Sequence, residues 1–240
     1  MNEQEIIPSQ QMLATFVGEE VVTRRLHGVQ QLCNFLNHKI PVGQSVHILT
    51  GGNCDLLSQL LWITRVYGHI SKLLITVWVA SMPDLHILER YIKSGIVAPG
   101  VRFLFGDIYP SQYKKEYAKV LEMYKNGYVD DVYVLNTHAK IMLIECASGE
   151  KITIEASANL NLNPRVEMAA IHTSPELYDF YDYYLNEIMR EQKDKYALRS
   201  AIKRMIKNGE KTEISDAERS AFVWQDGVCQ PMGARRQPTR

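Results

Sequence analysis

Five polar residues between positions 138 and 167 have types and spacings that suit one kind of chemistry. His138 and Lys140 lie one residue apart in "NTHAKIMLIECA", Ser157 and Asn159 one residue apart in "IEASANLNLN", and Glu167 begins the run "EMAAIHT". In a strand, alternate residues point to the same face, so each pair projects together and Glu167 can join them from a third strand. A neutral imidazole can attack phosphorus or return a proton, an ammonium neutralises non-bridging oxygens, and hydroxyl and amide donors hold the same oxygens. A carboxylate behind the imidazole would fix its tautomer. The set therefore suits a phosphodiester. The competing reading is a hydrogen-bonded sheet edge with no chemistry, and an isolated His-x-Lys would favour it; the Ser-x-Asn pair and the later glutamate argue the other way.

The elements that must position these residues are legible in the apolar pattern. Helical spacing of Leu26, Val29, Leu32, Cys33 and Leu36 marks a first helix, which "PVG" ends. Strands are expected at "SVHILT", "KLLITVWVA", "VRFLFGDI" and "DVYVLN", separated by helices in "GGNCDLLSQLLWITRVYG", "MPDLHILERYIKSG" and "PSQYKKEYAKVLEMYKNG". Strands alternating with helices of this length indicate crossover units and a mainly parallel sheet covered on both faces. After residue 130 the strands "DVYVLNTHAKIMLIECA", "EKITIEAS" and "VEMAAIHT" follow with short turns, "ASGE" having the composition of a hairpin loop, so antiparallel pairing is expected there. "SPELYDFYDYYLNEIMREQK" is a helix capped by Ser174, and its aromatic stripe reads as core. A further helix, "DKYALRSAIKRMIKNG", sets Lys195, Arg199, Lys203 and Lys207 four residues apart on one side. Such a row is either the wet side of a helix or a stripe facing nucleic acid.

With 240 residues, 46% of them apolar, the chain is long enough for a full core. Lys plus Arg and Asp plus Glu balance at 27 each, so no global field steers the protein to a polyanion, and any such binding must come from a local patch. The longest apolar run, around "LLITVWVA", is far shorter than a membrane-spanning helix needs, and "MNEQEIIPSQ" lacks a secretory pattern; the expectation is a cytoplasmic protein with no membrane partner. Cys33, Cys54, Cys146 and Cys229 form no close pair, which argues against a zinc site and a disulfide framework. No GxGxxG, GxxxxGK[ST] or HExxH run is present, so the common dinucleotide, P-loop and zinc-protease readings fall away.

The motif residues resemble the phospholipase D-like superfamily, whose signature is a histidine, one residue, a lysine, four residues and an acid, then a serine and an asparagine flanking one residue. Here His138-Ala139-Lys140 is followed by Ile141 to Ile144 and Glu145, then by Ala156-Ser157-Ala158-Asn159, and "NLNLNPRVE" leads to Glu167. Glu145 stands where the family has aspartate and Ala156 where it has glycine. The resemblance implies that His138 is a nucleophile forming a phosphohistidine, that Lys140 and Asn159 bind phosphate, that Ser157 supports them, and that Glu167 orients a histidine. It implies no metal and no cofactor. The family's site needs two such motifs and this chain has one, since neither His47 nor His86 has a lysine two residues on; a homodimer pairing two copies of His138 is the consequence.

The expectation is an α/β fold with a mixed, mostly parallel sheet, helices on both faces and a C-terminal helical extension. Its expected divisions are an N-terminal segment over 1–17, a phospholipase D-like domain over 18–191, and a C-terminal helix with a basic flexible tail over 192–240. The function expected is a metal-independent phosphodiesterase, a nuclease acting on DNA or RNA. The alternative is a catalytically silent nucleic-acid-binding or assembly protein of a phage or mobile element. Lipid is the weaker substrate because no interfacial helix with a basic polar face and exposed Trp or Phe is evident.

Overall fold

The computed structural model describes residues 20–52, 54–161 and 165–207, with side chains described within 28–191. In chain order the elements are α1 (Glu20–Phe35), β1 (Ser45–Thr50), α2 (Leu56–Tyr67), β2 (Ile70–Val77), α3 (Met82–Lys93), β3 (Val101–Gly106), α4 (Tyr109–Gln112), α5 (Lys114–Lys125), β4 (Val129–Leu135), β5 (Ile141–Cys146), β6 (Lys151–Ala156), β7 (Glu167–His172) and α6 (Pro175–Lys207). The strands form one sheet in the order β1-β7-β6-β5-β2-β3-β4.

Two layers of helix enclose the sheet. The run from Leu73 to Val77 is buried at every position, as expected of a strand covered on both faces. Leu73, Ile75 and Val77 join Phe103, Phe105 and Ile144 in a core with α1, α2, α3 and α5. Leu74, Leu104, Tyr133 and Leu143 face the other way and meet Tyr178, Leu185 and Met189 of α6. Helix α2 is the most deeply set, with Leu56, Leu57, Leu60, Trp62 and Ile63 fully buried. Asp55 caps it, accepting from the Ser58 N–H at 2.8 Å and the Ser58 hydroxyl at 2.6 Å. Cys54 and Cys146 are buried free thiols, pushed up to about 12 by desolvation.

The sheet is mixed but mostly antiparallel, which corrects the expectation of a mostly parallel one. Only β2–β3 and β3–β4 pair in parallel; β2–β5, β5–β6, β6–β7 and β7–β1 are antiparallel. The physical reason lies in where β1 lands. Strands β1 and β2 run in the same direction and are joined by a helical crossover, but β5, β6 and β7 insert between them. Helix–strand alternation fixes relative direction; it does not tell which strand becomes the neighbour. The "ASGE" hairpin forms as expected, with the Cys146 N–H donating to the Glu150 carbonyl and Gly149 at φ 96°.

A second correction concerns His138 and Lys140, which were expected on a strand. They lie in the connection from β4 to β5, just before β5 begins. Those strands are not neighbours, because β3 and β2 stand between them. The connection must therefore cross three strand spacings, roughly 14 Å. Six residue steps reach at most about 20 Å, enough to span the gap even though the Thr137 N–H turns back to the Leu135 carbonyl at 2.8 Å. The strand order thus carries the segment with His138 and Lys140 past the ends of β3 and β2. Two helices were also expected where the single 33-residue α6 runs without a break.

Candidate active site

All five candidate residues fall at one end of the sheet's strands. Strands β1, β2, β3, β4 and β6 end there and β5 and β7 begin there, as the strand order and pairings require. Lys140 leads into β5, Ser157 and Asn159 follow β6, and Glu167 is the first residue of β7. Open sheets with parallel strands bind ligands beyond their carboxyl ends.

His138 and Lys140 project to the same side even though no strand ladder holds them. The Lys140 Nζ lies 2.9 Å from His138 Nδ1, 3.2 Å from Nε2 and 2.7 Å from the His138 carbonyl oxygen. His138 is exposed, whereas Lys140 is only 6% exposed. Burial pushes the Lys140 ammonium below the ordinary lysine value, and the Glu167 carboxylate opposes that shift. An ammonium has three N–H donors. One meets the His138 carbonyl and another the ring, leaving a third for a substrate oxygen.

Asn159 is fixed from behind. Its Oδ1 accepts the backbone N–H of Trp78 at 3.0 Å and of Val79 at 3.4 Å. With the carbonyl end committed, the amide hydrogens are the part left to act as donors. The loop is fastened further by the Ser81 N–H, which donates to the Leu160 carbonyl at 2.8 Å. Buried Tyr109 donates its hydroxyl to the Ala80 carbonyl at 3.1 Å, fixing the end of β2 from below.

Ser157 donates its hydroxyl to the Glu167 carboxylate and accepts the Met168 N–H at 2.9 Å. Glu167 therefore meets Ser157 within this chain. The residues that depart from the family pattern have plain surroundings. Glu145 pairs with Lys72 at 2.8 Å towards the far end of β5. Ala156 packs against the larger core and donates its N–H to the Lys140 carbonyl at 3.0 Å.

One residue of the site went unnoticed in the sequence. The Trp78 ring lies 5.1 Å from the His138 ring, centroid to centroid, tilted by 55°. Its signal was an aromatic at the carboxyl end of a strand, where ligands gather. The side chains of Lys195, Arg199, Lys203 and Lys207 lie outside the described residues, as does the tail beyond residue 207, whose Arg235, Arg236 and Arg240 give it its basic character. Among the described residues, no three His, Cys, Asp or Glu side chains gather where they could hold a metal ion, and no helix is long and apolar enough to cross a membrane.

No protein-family model and no curated protein matches the chain. Solved structures do show similarity. Polyphosphate kinase from Porphyromonas gingivalis matches at 16% identity and a TM-score of 0.43 over 59% of this chain and 25% of the kinase. NucT from Helicobacter pylori matches at 14% identity and a TM-score of 0.43 over 61% of this chain and 97% of NucT. TrmBL2, an archaeal chromatin protein, matches at 12% identity and a TM-score of 0.44 over 72% of this chain and 62% of that one. The chain thus spans a quarter of the length of the kinase and under two thirds of TrmBL2.

Proposed function

We propose that this protein is a metal-independent phosphodiesterase acting on nucleic acid, through a phosphohistidine formed on His138, at a site completed by two chains. The observation that carries the reading is the buried Lys140 ammonium held against an exposed imidazole. A buried charge is costly unless it has a task or a partner, and here it stands where a phosphate would be neutralised.

In the proposed reaction a His138 ring nitrogen bonds to phosphorus as the bond to the leaving oxygen breaks. That oxygen takes a proton from the imidazolium of His138 of the partner subunit. Water then attacks phosphorus, the N–P bond breaks, and the water's proton goes to the partner's imidazole. Lys140 and Asn159 hold the non-bridging oxygens, Ser157 supports them, and Glu167 orients a histidine. The chain's single His-x-Lys pair supports the two-chain site. So does the apolar surface beside Glu167, where Leu49 and Met168 lie directly opposite each other at 78% and 57% exposure, with Val166 at 73%.

The test is hydrolysis of bis(p-nitrophenyl) phosphate and of single- and double-stranded DNA in EDTA, beside His138→Ala. The expected outcome is cleavage that resists chelation and vanishes in the variant. Leu49→Asp should leave a folded monomer on sedimentation and abolish cleavage. Binding without cleavage by the unmodified protein would instead mark a silent nucleic-acid-binding protein, and a strictly monomeric active enzyme would refute the shared site.

A further inference from the structure

We infer that Trp78 receives an unpaired nucleobase beside the scissile phosphate, so that the site selects single-stranded nucleic acid. The inference rests on the proposed phosphodiester site and adds to it a specificity-determining residue and a substrate class.

The indole is half-buried at the site edge and tilted against the exposed His138 ring. Its position is set by Gly106, the last residue of β3. A Cβ built at Gly106 would come within 2.0 Å of Trp78 Cδ1 and 2.8 Å of Nε1, so the pyrrole edge of the indole occupies the space that any other residue would fill. The backbone agrees, since the Gly106 N–H donates to the Trp78 carbonyl at 3.2 Å. The Trp78 N–H in turn holds the Asn159 carbonyl oxygen. One residue therefore links the nucleophile and the phosphate-binding amide to an aromatic face.

This arrangement differs from that of the core aromatics. Phe103, Phe105 and Tyr109 stack on one another in the core, with centroids 5.0 and 4.2 Å apart, and are fully buried. Trp78 lies outside that stack, next to the imidazole. In a nucleic acid the base nearest the reacting phosphorus is one sugar away, within reach of a ring adjacent to the attacking nitrogen. In a duplex both faces of that base are covered by its neighbours; an unpaired strand can turn one face to an indole.

The experiment measures binding of labelled oligothymidylate and of a blunt duplex to the full chain, made non-cleaving by His138→Asn, with Trp78 intact or changed to Ala or Phe. Stacking on a single aromatic predicts that Trp78→Ala weakens oligothymidylate binding by roughly 5- to 100-fold, while Trp78→Phe, which keeps a π-face, loses far less. Duplex affinity should move less than twofold. Gly106→Val, which displaces the indole without removing it, should copy the alanine variant. With His138 present, Trp78→Ala should lower kcat/KM for the oligonucleotide by a larger factor than for methyl p-nitrophenyl phosphate, which carries no base to stack. Unchanged oligothymidylate affinity in Trp78→Ala, or an equal loss of kcat/KM on every diester, would overturn the inference even if the protein proves to be a phosphodiesterase. Selective loss of single-strand binding by a protein that never cleaves would uphold it while removing the hydrolytic reading.

Discussion

The two halves of the sheet differ in what covers them. Strands β2, β3 and β4 lie between the helix-packed core and α6, and Leu74, Phe103, Leu104 and Phe105 are almost wholly buried. At the other end β1 is an edge strand whose residues alternate between exposed and half-buried, and Leu49 and Met168 stand open to solvent. The closed half is packed on both faces, whereas the open half leaves one face at Leu49 and Met168 free. The candidate site sits where they meet, over the ends of β3, β2, β5 and β6. The comparison teaches that rigidity comes from one half and access from the other.

The contrast can be broken first by stability. Phe103→Ala should cost about 3–5 kcal/mol, whereas Leu49→Ala should change monomer stability by less than about 0.5 kcal/mol. Urea denaturation checks both, and similar losses would mean that the open half is as closely packed as the other. A second, smaller effect separates support from chemistry at the seam. Asn159→Ala should cost about 1–2 kcal/mol of stability, because the Trp78 and Val79 N–H groups lose their acceptor, and should slow diester hydrolysis by roughly 100-fold. Asn159→Asp keeps the acceptor oxygen and removes the donors, so activity should fall as far while stability holds.

The smallest effect on stability is expected at Lys140. Lys140→Met should abolish hydrolysis yet leave stability at pH 7 unchanged or raised by about 1 kcal/mol, since a buried ammonium is replaced by an apolar chain of similar length. The sign with pH follows from burial, which lowers the Lys140 value below the ordinary 10.5. Between the two values the unfolded chain keeps a proton that the folded chain has released, so stability rises with pH through that window. Denaturation midpoints across alkaline pH should show this rise in the unmodified protein and a smaller one in the variant. A clear loss of stability in Lys140→Met at neutral pH would mean that the ammonium supports the fold.

Much of the architecture was legible because its signals are local. The core spacing of α2 and the buried runs of β2 and β3 follow from side chains within one element, and the "ASGE" hairpin from turn composition. The mostly parallel sheet was wrong because neighbour choice is a long-range matter. Whether β2 pairs with β1 or with β5 depends on how the last three strands insert, and neither helix–strand alternation nor strand composition encodes that. His138-x-Lys140 was found by spacing, but its place on a crossing segment was not. Trp78 was missed because an aromatic in "TVWVA" looks like any strand residue until Gly106 and His138 are brought to its two sides.

By itself, then, the sequence determined the inventory: which residues could carry phosphoryl chemistry, where most of the helices and strands would lie, and that the cysteines would form no close pair. Tertiary structure decided adjacency: the seam between parallel and antiparallel halves, the burial that lowers Lys140, and the indole next to the imidazole. The division has a physical basis. Side-chain chemistry and local periodicity are properties of a few consecutive residues, whereas desolvation and contact depend on distant chain segments meeting at one end of the sheet, as Trp78 and Asn159 do, 81 residues apart.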